Sequence, residues 1–344
     1  MHELQRELGL ERMVKLASNE GAFGPLPAAV AAFEAAAGSL NRYPDAGGVR
    51  LREELARRHD LPVEQVVLGN GADELIRLCA VATLDAGDRA ILPWPSFPSY
   101  VVSAASAGAE PVTVPLNGRH IDLDRFVSEA HYGTKLVYLP NPNNPTGVLL
   151  DRADVRRLLD EVPPDVLVVL DEAYAEYADP EPDGPALLRE GRERLCVLRT
   201  FSKVYGLASL RVGYALASPA IADGLDRVRP IFNVNQPAQE AALASLHEQH
   251  AIGGRVAHAR RAREEIRAAL AAAGLGAEPS QTNFVYAEVP GGDAVGLADR
   301  LLRAGFIVRE LTAFGAPGAI RVTAGTDEEN ALFAAALSGV VNSR

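Results

Sequence analysis

The sequence predicts an α/β protein: a large domain with a mostly parallel sheet covered by helices on both faces, plus a smaller C-terminal α/β domain. Three observations predict it. From about residue 49 onward, helix-like and strand-like stretches alternate. Several strand-like stretches, Val166-Leu167-Val168-Val169-Leu170 above all, are apolar without alternation. That pattern belongs to strands buried on both faces. After about residue 236 the texture changes to a long Ala/Arg-rich helical stretch over 251–273, followed by short strands. The implied division is a large domain over 33–236 and a small one made of 1–32 with 237–344.

The elements follow in order. VRLREELARRH has the spacing of an amphipathic helix, and VVL (66–68) reads as a short strand. Gly69-Asn70-Gly71 then turns the chain into a helix, ADELIRLCAVATL. RAILP is a strand, FPSYVVSAASAG a helix and EPVTVPL a strand; DLDRFVSEA is a helix and TKLVYLPNP a strand. DRADVRRLLDEV is a helix, and DVLVVLDEAY, LCVLRTF and LRVGYALA are strands. Beyond 273 come a strand in NFVYAEV, a helix, strands in FIVREL and AIRVTAG, and a last helix over 327–341. In an open parallel sheet, ligands sit at the carboxyl ends of strands, so the residues there carry the search for chemistry.

Composition excludes several classes. The 344 residues carry 34 basic and 45 acidic side chains, a formal charge of −11, and no basic run interleaved with aromatics. Nucleic acid is therefore not an expected partner. No apolar run approaches a membrane span, and the start MHELQRELGLERMVKL has no apolar core of a secretory signal. The expectation is a cytoplasmic protein without a membrane partner. Cys79 and Cys196 both lie in apolar stretches and read as buried reduced thiols.

Lysine is scarce: only Lys15, Lys135 and Lys203 among 34 basic residues. Lys15 and Lys135 have the contexts of solvated side chains. Lys203 lies in Thr200-Phe201-Ser202-Lys203 at a strand end, with Arg211 eight residues on. Hydroxyls beside an arginine suit a phosphate, although TFSK alone fits a surface turn better. Asp171 ends the apolar run of its strand, where a carboxylate is costly unless paired with a cation. An N-cap or structural ion pair would satisfy it; so would a protonated heterocycle. Tyr174 follows close enough to face the same site. Ala72 and Asp73 offer backbone N–H groups at a helix start, the usual setting for an anion. Asn141-Pro142-Asn143-Asn144-Pro145-Thr146-Gly147 is more specific, since two X-Pro units hold the loop extended and present an Asn amide at a strand end.

The order and spacing of NPTG, DEAY, SK and the following Arg resemble fold type I pyridoxal-phosphate enzymes, specifically the class I/II aminotransferases, over nearly the whole chain. The resemblance implies pyridoxal 5'-phosphate as cofactor and Lys203 as the lysine joined to its aldehyde, serving as base once displaced. It implies Asp171 paired with the pyridinium, and Tyr174 and Asn144 bonded to the phenolic oxygen. Ala72, Asp73, Thr200, Ser202 and Arg211 would hold the phosphate, and Phe97 would stack on the ring.

KLASNEGAFGP, LNRYPDAGGVRLREEL, GNGADELI, FNVNQPAQEAAL, IVREL and AIRVTAGTDEEN are similar to the histidinol-phosphate aminotransferase family. That likeness implies a homodimer in which Tyr43 reaches the cofactor phosphate of the other subunit. It implies small anionic substrates gripped by Arg321 and Arg309, with Asn144 beside them. The activity implied is amino transfer between L-histidinol phosphate and 2-oxoglutarate in histidine biosynthesis. An aromatic (Phe/Tyr) aminotransferase is the nearest alternative, and a threonine-phosphate decarboxylase the alternative from another reaction class. Three features depart from the family pattern. The Tyr-x-Pro-Gly-Lys-like stretch of its N-terminal arm has no counterpart here. Glu310 stands where Pro is common, and Gly21-Ala22-Phe23 stands where Asn-Pro-Leu/Tyr is usual. All three bear on closure over substrate rather than on cofactor chemistry.

Overall fold

A computed structural model describes residues 2–342 of the chain. Its strands in chain order are β1 (Val14–Lys15), β2 (Val66–Gly69), β3 (Arg89–Trp94), β4 (Glu110–Pro115), β5 (Thr134–Pro140), β6 (Leu167–Asp171) and β7 (Leu195–Thr200). There follow β8 (Gly213–Ala217), β9 (Gly276–Ala277), β10 (Phe284–Glu288), β11 (Phe306–Ile307), β12 (Arg309–Glu310) and β13 (Ala319–Thr323).

Seven strands form one sheet in the order β2-β8-β7-β6-β5-β3-β4. The pairs from β7 through β4 are parallel. Only β8 is reversed, running against both β7 and β2. The carboxyl ends of β2, β5, β6 and β7 therefore reach one edge. Register brings Pro140 beside Asp171, Asp171 beside Leu198, and Thr200 beside Gly213. The strand β6 is buried along its whole length, as its unbroken apolar run requires. Each fully buried Val or Leu there contributes roughly 1.5–3 kcal/mol. Cys79 and Cys196 are buried free thiols with Sγ atoms 3.8 Å apart.

The smaller sheet is antiparallel, in the order β12-β13-β10-β9. Its register sets Arg309 opposite Arg321. FIVREL, expected as one strand, is divided at Val308. Phe306 and Ile307 pair with β1, whereas Arg309 and Glu310 pair with β13. One short segment thus serves two sheets, which its composition does not reveal.

Besides the short His2–Glu7, four helices were not marked by the sequence: Pro27–Ala36, Gly184–Arg189, Pro219–Val228 and Gln236–His247. The first and last are Ala-rich and pack against each other, so their apolar and polar faces are weakly separated. Leu26, Ala29, Ala238 and Leu246 share the core of the large sheet. The small core takes Val14 and Leu16 together with residues from Ala262 to Leu337. The expected division at 32/33 and 236/237 places both Ala-rich helices, or their ends, away from the core they join here. Among the described residues no helix is long and apolar enough to cross a membrane.

Candidate active site

A cleft of about 290 Å³ opens where the large sheet's carboxyl edge faces the small sheet. Its lining contains Ala72, Asp73, Phe97, Asn144, Asp171, Tyr174, Thr200, Ser202, Lys203, Arg211, Arg309 and Arg321. Every candidate residue except Tyr43 is therefore gathered in one place. Tyr43 lies on the surface, 82% exposed, with its ring stacked on Phe232 at 4.6 Å.

One end of the cleft is built for a phosphate. The helix Gly71–Thr83 begins there, and its N-cap Asn70 makes no side-chain cap bond. Asn70 Nδ2 donates to the Asn233 carbonyl instead, while Glu74 accepts from the Asn70 N–H. The first-turn amides are left facing the cleft, where an anion is favoured. Gly71 has φ +76°, and a Cβ there would stand 2.3 Å from Arg211 Nη2. Arg211 itself holds φ +55° and donates through Nη1 to Ser202 Oγ at 3.3 Å. Thr200 Oγ1 accepts the Ser202 N–H at 3.1 Å. Gly213 is needed as well, since a Cβ would lie 2.8 Å from Ala72 N. Two hydroxyls, a guanidinium and the start of a helix thus converge, and glycine at 71 and 213 lets Arg211 and the Ala72 amide approach.

At the cleft floor stands Asp171, buried and held from two sides. Oδ2 accepts from Tyr100 Oη at 2.7 Å, and Oδ1 accepts from the Ala173 N–H at 3.0 Å. Burial pushes its carboxyl above the usual range, against the lowering effect of the Tyr100 and Ala173 bonds and of Lys203. A cation placed against it would remove that penalty. Burial, and then the Asp171 charge, push the Tyr100 phenol well up, so Tyr100 stays a donor. Phe97 meets Tyr100 edge-on at 5.8 Å. Lys203 Nζ lies 5.3 Å from the centre of the Tyr174 ring. A phosphate cradle, a buried carboxylate and a lysine along one cleft fit a phosphorylated pyridine aldehyde.

The far side is cationic. Arg321 is 3% exposed and has no carboxylate partner among the described residues. It donates through Nη1 to Asn144 Oδ1 and through Nη2 to the Ala17 carbonyl at 2.9 Å. Its Nε is buried without a partner. Burial pulls its guanidinium down to about 10, and nearby Arg309 adds to the effect. Two arginines side by side without an acid between them suit an anionic ligand. Glu310, which stands where Pro is common, accepts from the Thr312 N–H at 2.7 Å and from the Thr312 hydroxyl. Gly21 also has a local reason, because a Cβ there would meet the Lys203 carbonyl oxygen at 2.6 Å.

The sequence reading missed Ser18, Asn19, Ile76, Tyr100 and Phe314, which also line the cleft. Tyr100 lies three residues after Phe97, a spacing that carries no chemical signal until Asp171 is brought to it. Phe314 comes from the small unit, with its carbonyl accepting the Ser96 N–H at 3.1 Å.

Comparison with known proteins places this geometry. The profile of the family described as Aminotransferase class I and II matches residues 11–337. Histidinol-phosphate aminotransferase of Symbiobacterium thermophilum is 42% identical over 99% of this chain and 94% of its own length. That of Granulibacter bethesdensis is 43% identical over 96% of this chain and 90% of its own. The crystal structure of Sinorhizobium meliloti histidinol-phosphate aminotransferase in complex with pyridoxal-5'-phosphate superposes with a TM-score of 0.94. The identity is 30%, covering 99% of this chain and 94% of that one. Thermus thermophilus aspartate aminotransferase with maleate gives 0.88 at 26% identity, covering 98% and 94%. With its profile match, its full-length relatives and its cleft in agreement, the chain belongs to the class I and II aminotransferases, alongside the histidinol-phosphate aminotransferases.

Proposed function

We propose that the protein is a pyridoxal-phosphate-dependent aminotransferase that exchanges an amino group between L-histidinol phosphate and 2-oxoglutarate. The observation that carries the substrate reading is Arg321: buried, charged and without a carboxylate partner, in the same cleft as Lys203 and Asp171. The bound cofactor supplies an aldehyde for the substrate amine and a ring that accepts electrons from the substrate carbon. The remaining work belongs to the chain. Ala72, Asp73, Thr200, Ser202 and Arg211 bind the cofactor phosphate, and Phe97 stacks on the ring. Asp171 keeps a proton on the ring nitrogen. Tyr174 and Asn144 donate to the phenolic oxygen. Lys203 Nζ anchors the cofactor and, once displaced, moves the proton at the substrate carbon. Arg321, with Arg309, takes the substrate's acidic group, which is the glutamate carboxylate in one half-reaction and the phosphate in the other. The protein works as a homodimer in which Tyr43 completes the neighbouring subunit's phosphate site.

Half-reactions of the purified holoprotein test this reading. Glutamate alone should bleach the yellow absorbance and release one equivalent of 2-oxoglutarate; imidazole-acetol phosphate should restore the colour. Lys203→Ala should hold no cofactor covalently after borohydride treatment. Release of carbon dioxide from threonine phosphate, or a preference for Phe over histidinol phosphate by orders of magnitude, would overturn the substrate assignment.

A further inference from the structure

We propose that Asn19 is a positioning residue that fixes the hydroxyl of Tyr174 as a hydrogen-bond donor into the cleft. Asn19 is 1% exposed and holds φ +54°, a left-handed conformation that Asn tolerates better than most side chains. Its side-chain Nδ2 donates to Tyr174 Oη at 2.9 Å.

Thr323 holds the other end of the Asn19 amide. The Asn19 backbone N–H donates to Thr323 Oγ1 at 3.0 Å. Thr323 Oγ1 in turn lies 3.1 Å from Asn19 Oδ1 and donates to it. A hydroxyl has one hydrogen, and Thr323 spends it on Oδ1. The amide oxygen of Asn19 faces Thr323, and its NH2 faces Tyr174. Tyr174 is left accepting from Asn19, so its own hydrogen points elsewhere. Tyr174 lines the cleft, and the cleft is where that hydrogen is directed.

The arrangement also links the two halves of the molecule. Asn19 travels with the small sheet: Thr323 N–H donates to the Leu16 carbonyl at 2.8 Å, and Asn283 Nδ2 donates to the Asn19 carbonyl at 3.3 Å. Tyr174 belongs to the large core. Thr323 lies two residues beyond Arg321 on β13. The strand that carries the anion-binding arginine thus also sets the polarity of the tyrosine facing the cofactor. Arg321 does the same for Asn144: by donating to Oδ1 it leaves the Asn144 NH2 for the cleft.

The inference rests on the reading that Tyr174 bonds the cofactor's phenolic oxygen. A donor there stabilises the oxygen's negative charge and lowers the proton affinity of the adjoining nitrogen; withdrawing the donor raises it. The test is the pH midpoint of the bound-cofactor absorbance in the intact holoprotein, with thermal melting as a folding control. Tyr174→Phe is the reference and should raise the midpoint. Asn19→Asp, nearly isosteric, turns a donor into an acceptor of the Tyr174 O–H, drawing that hydrogen out of the cleft, and should raise it by about half a pH unit or more. Thr323→Val, which adds no charge, should raise it by less, and Thr323→Ser should leave it unchanged. In the Tyr174→Phe background the Thr323→Val shift should vanish. Unmoved midpoints in Asn19→Asp and Thr323→Val, while Tyr174→Phe shifts, would overturn the role of Asn19. So would a Thr323→Val shift that persists without the Tyr174 hydroxyl. No shift in Tyr174→Phe would overturn the reading of Tyr174 itself, and the inference with it.

Discussion

Arg321 shows how one residue's environment encodes its task. Its guanidinium is buried between the Phe284 and Phe314 rings, 5.2 and 5.0 Å from their centres. Burial disfavours its charge, and Arg309 repels it. A carboxylate or phosphate bound there, as proposed, would relieve both costs. Charge-assisted bonds of this kind are worth roughly 1.5–3 kcal/mol. Arg321→Gln should therefore raise the KM for glutamate and for histidinol phosphate by about ten- to a hundredfold. The rate of the Lys203-dependent step at saturation should change less. Steady-state kinetics with both substrates read this directly, and an unchanged KM for either one would remove Arg321 from the anion site. The sequence pointed to Arg321 only through its motif; that it lacks an acidic partner is a fact of the fold.

At the scale of elements, the start of the helix Gly71–Thr83 is the sensitive point. Gly71→Ala would force a Cβ onto Arg211 and strain a backbone at φ +76°. Left-handed geometry costs a non-glycine residue roughly 1–2 kcal/mol. Pyridoxal-phosphate affinity should fall at least about tenfold, measured by equilibrium dialysis, with melting temperature only modestly lowered. Retained affinity would mean that the cradle is not where the phosphate sits.

The helix Val49–His59 makes a second element-scale prediction. His59 ends that helix against β8, with Nε2 2.9 Å from Tyr214 Oη. Burial, with Arg199, Arg58 and Arg189, pulls its imidazole down to about 3. Below about pH 6.5 the unfolded chain takes up a proton there and the folded chain does not. Stability is lost as pH falls through the window from about 6.5 toward 3, by about 1 kcal/mol per pH unit. Urea unfolding at pH 7 and pH 5 should show His59→Gln losing less than the parent protein. Equal losses would mean that His59 is protonated in the fold.

At the scale of the whole molecule, side chains that the single chain leaves uncovered support the proposed dimer. Leu40 is 68% exposed and Ile231 75%, near the stacked Tyr43 and Phe232. Large apolar groups clustered at a surface mark an interaction site. Sedimentation at micromolar concentration should give twice the chain mass. Ile231→Asp should give the single mass and weaker cofactor retention. A parent protein that is fully active as a monomer would rule out the contribution of Tyr43 from a neighbour.

The sequence by itself determined the doubly covered sheet, because unbroken apolar runs such as 166–170, five residues long and alternating with amphipathic helices, fit strands buried on both faces. It also put Asn144, Asp171 and Lys203 at or just beyond the carboxyl ends of strands that a parallel sheet brings to one edge, while their proposed cofactor roles, and that of Arg211, came from the resemblance to the class I/II aminotransferases. Tertiary structure alone decided the contacts between distant segments. Tyr100 meets Asp171 across 71 residues, Arg321 meets Asn144 across 177, and Asn19 meets Thr323 across 304. It also divided FIVREL between two sheets and drew the Ala-rich helices 27–36 and 236–247 into the large core. Periodicity reports which face of an element is buried; it carries no record of which other element does the burying.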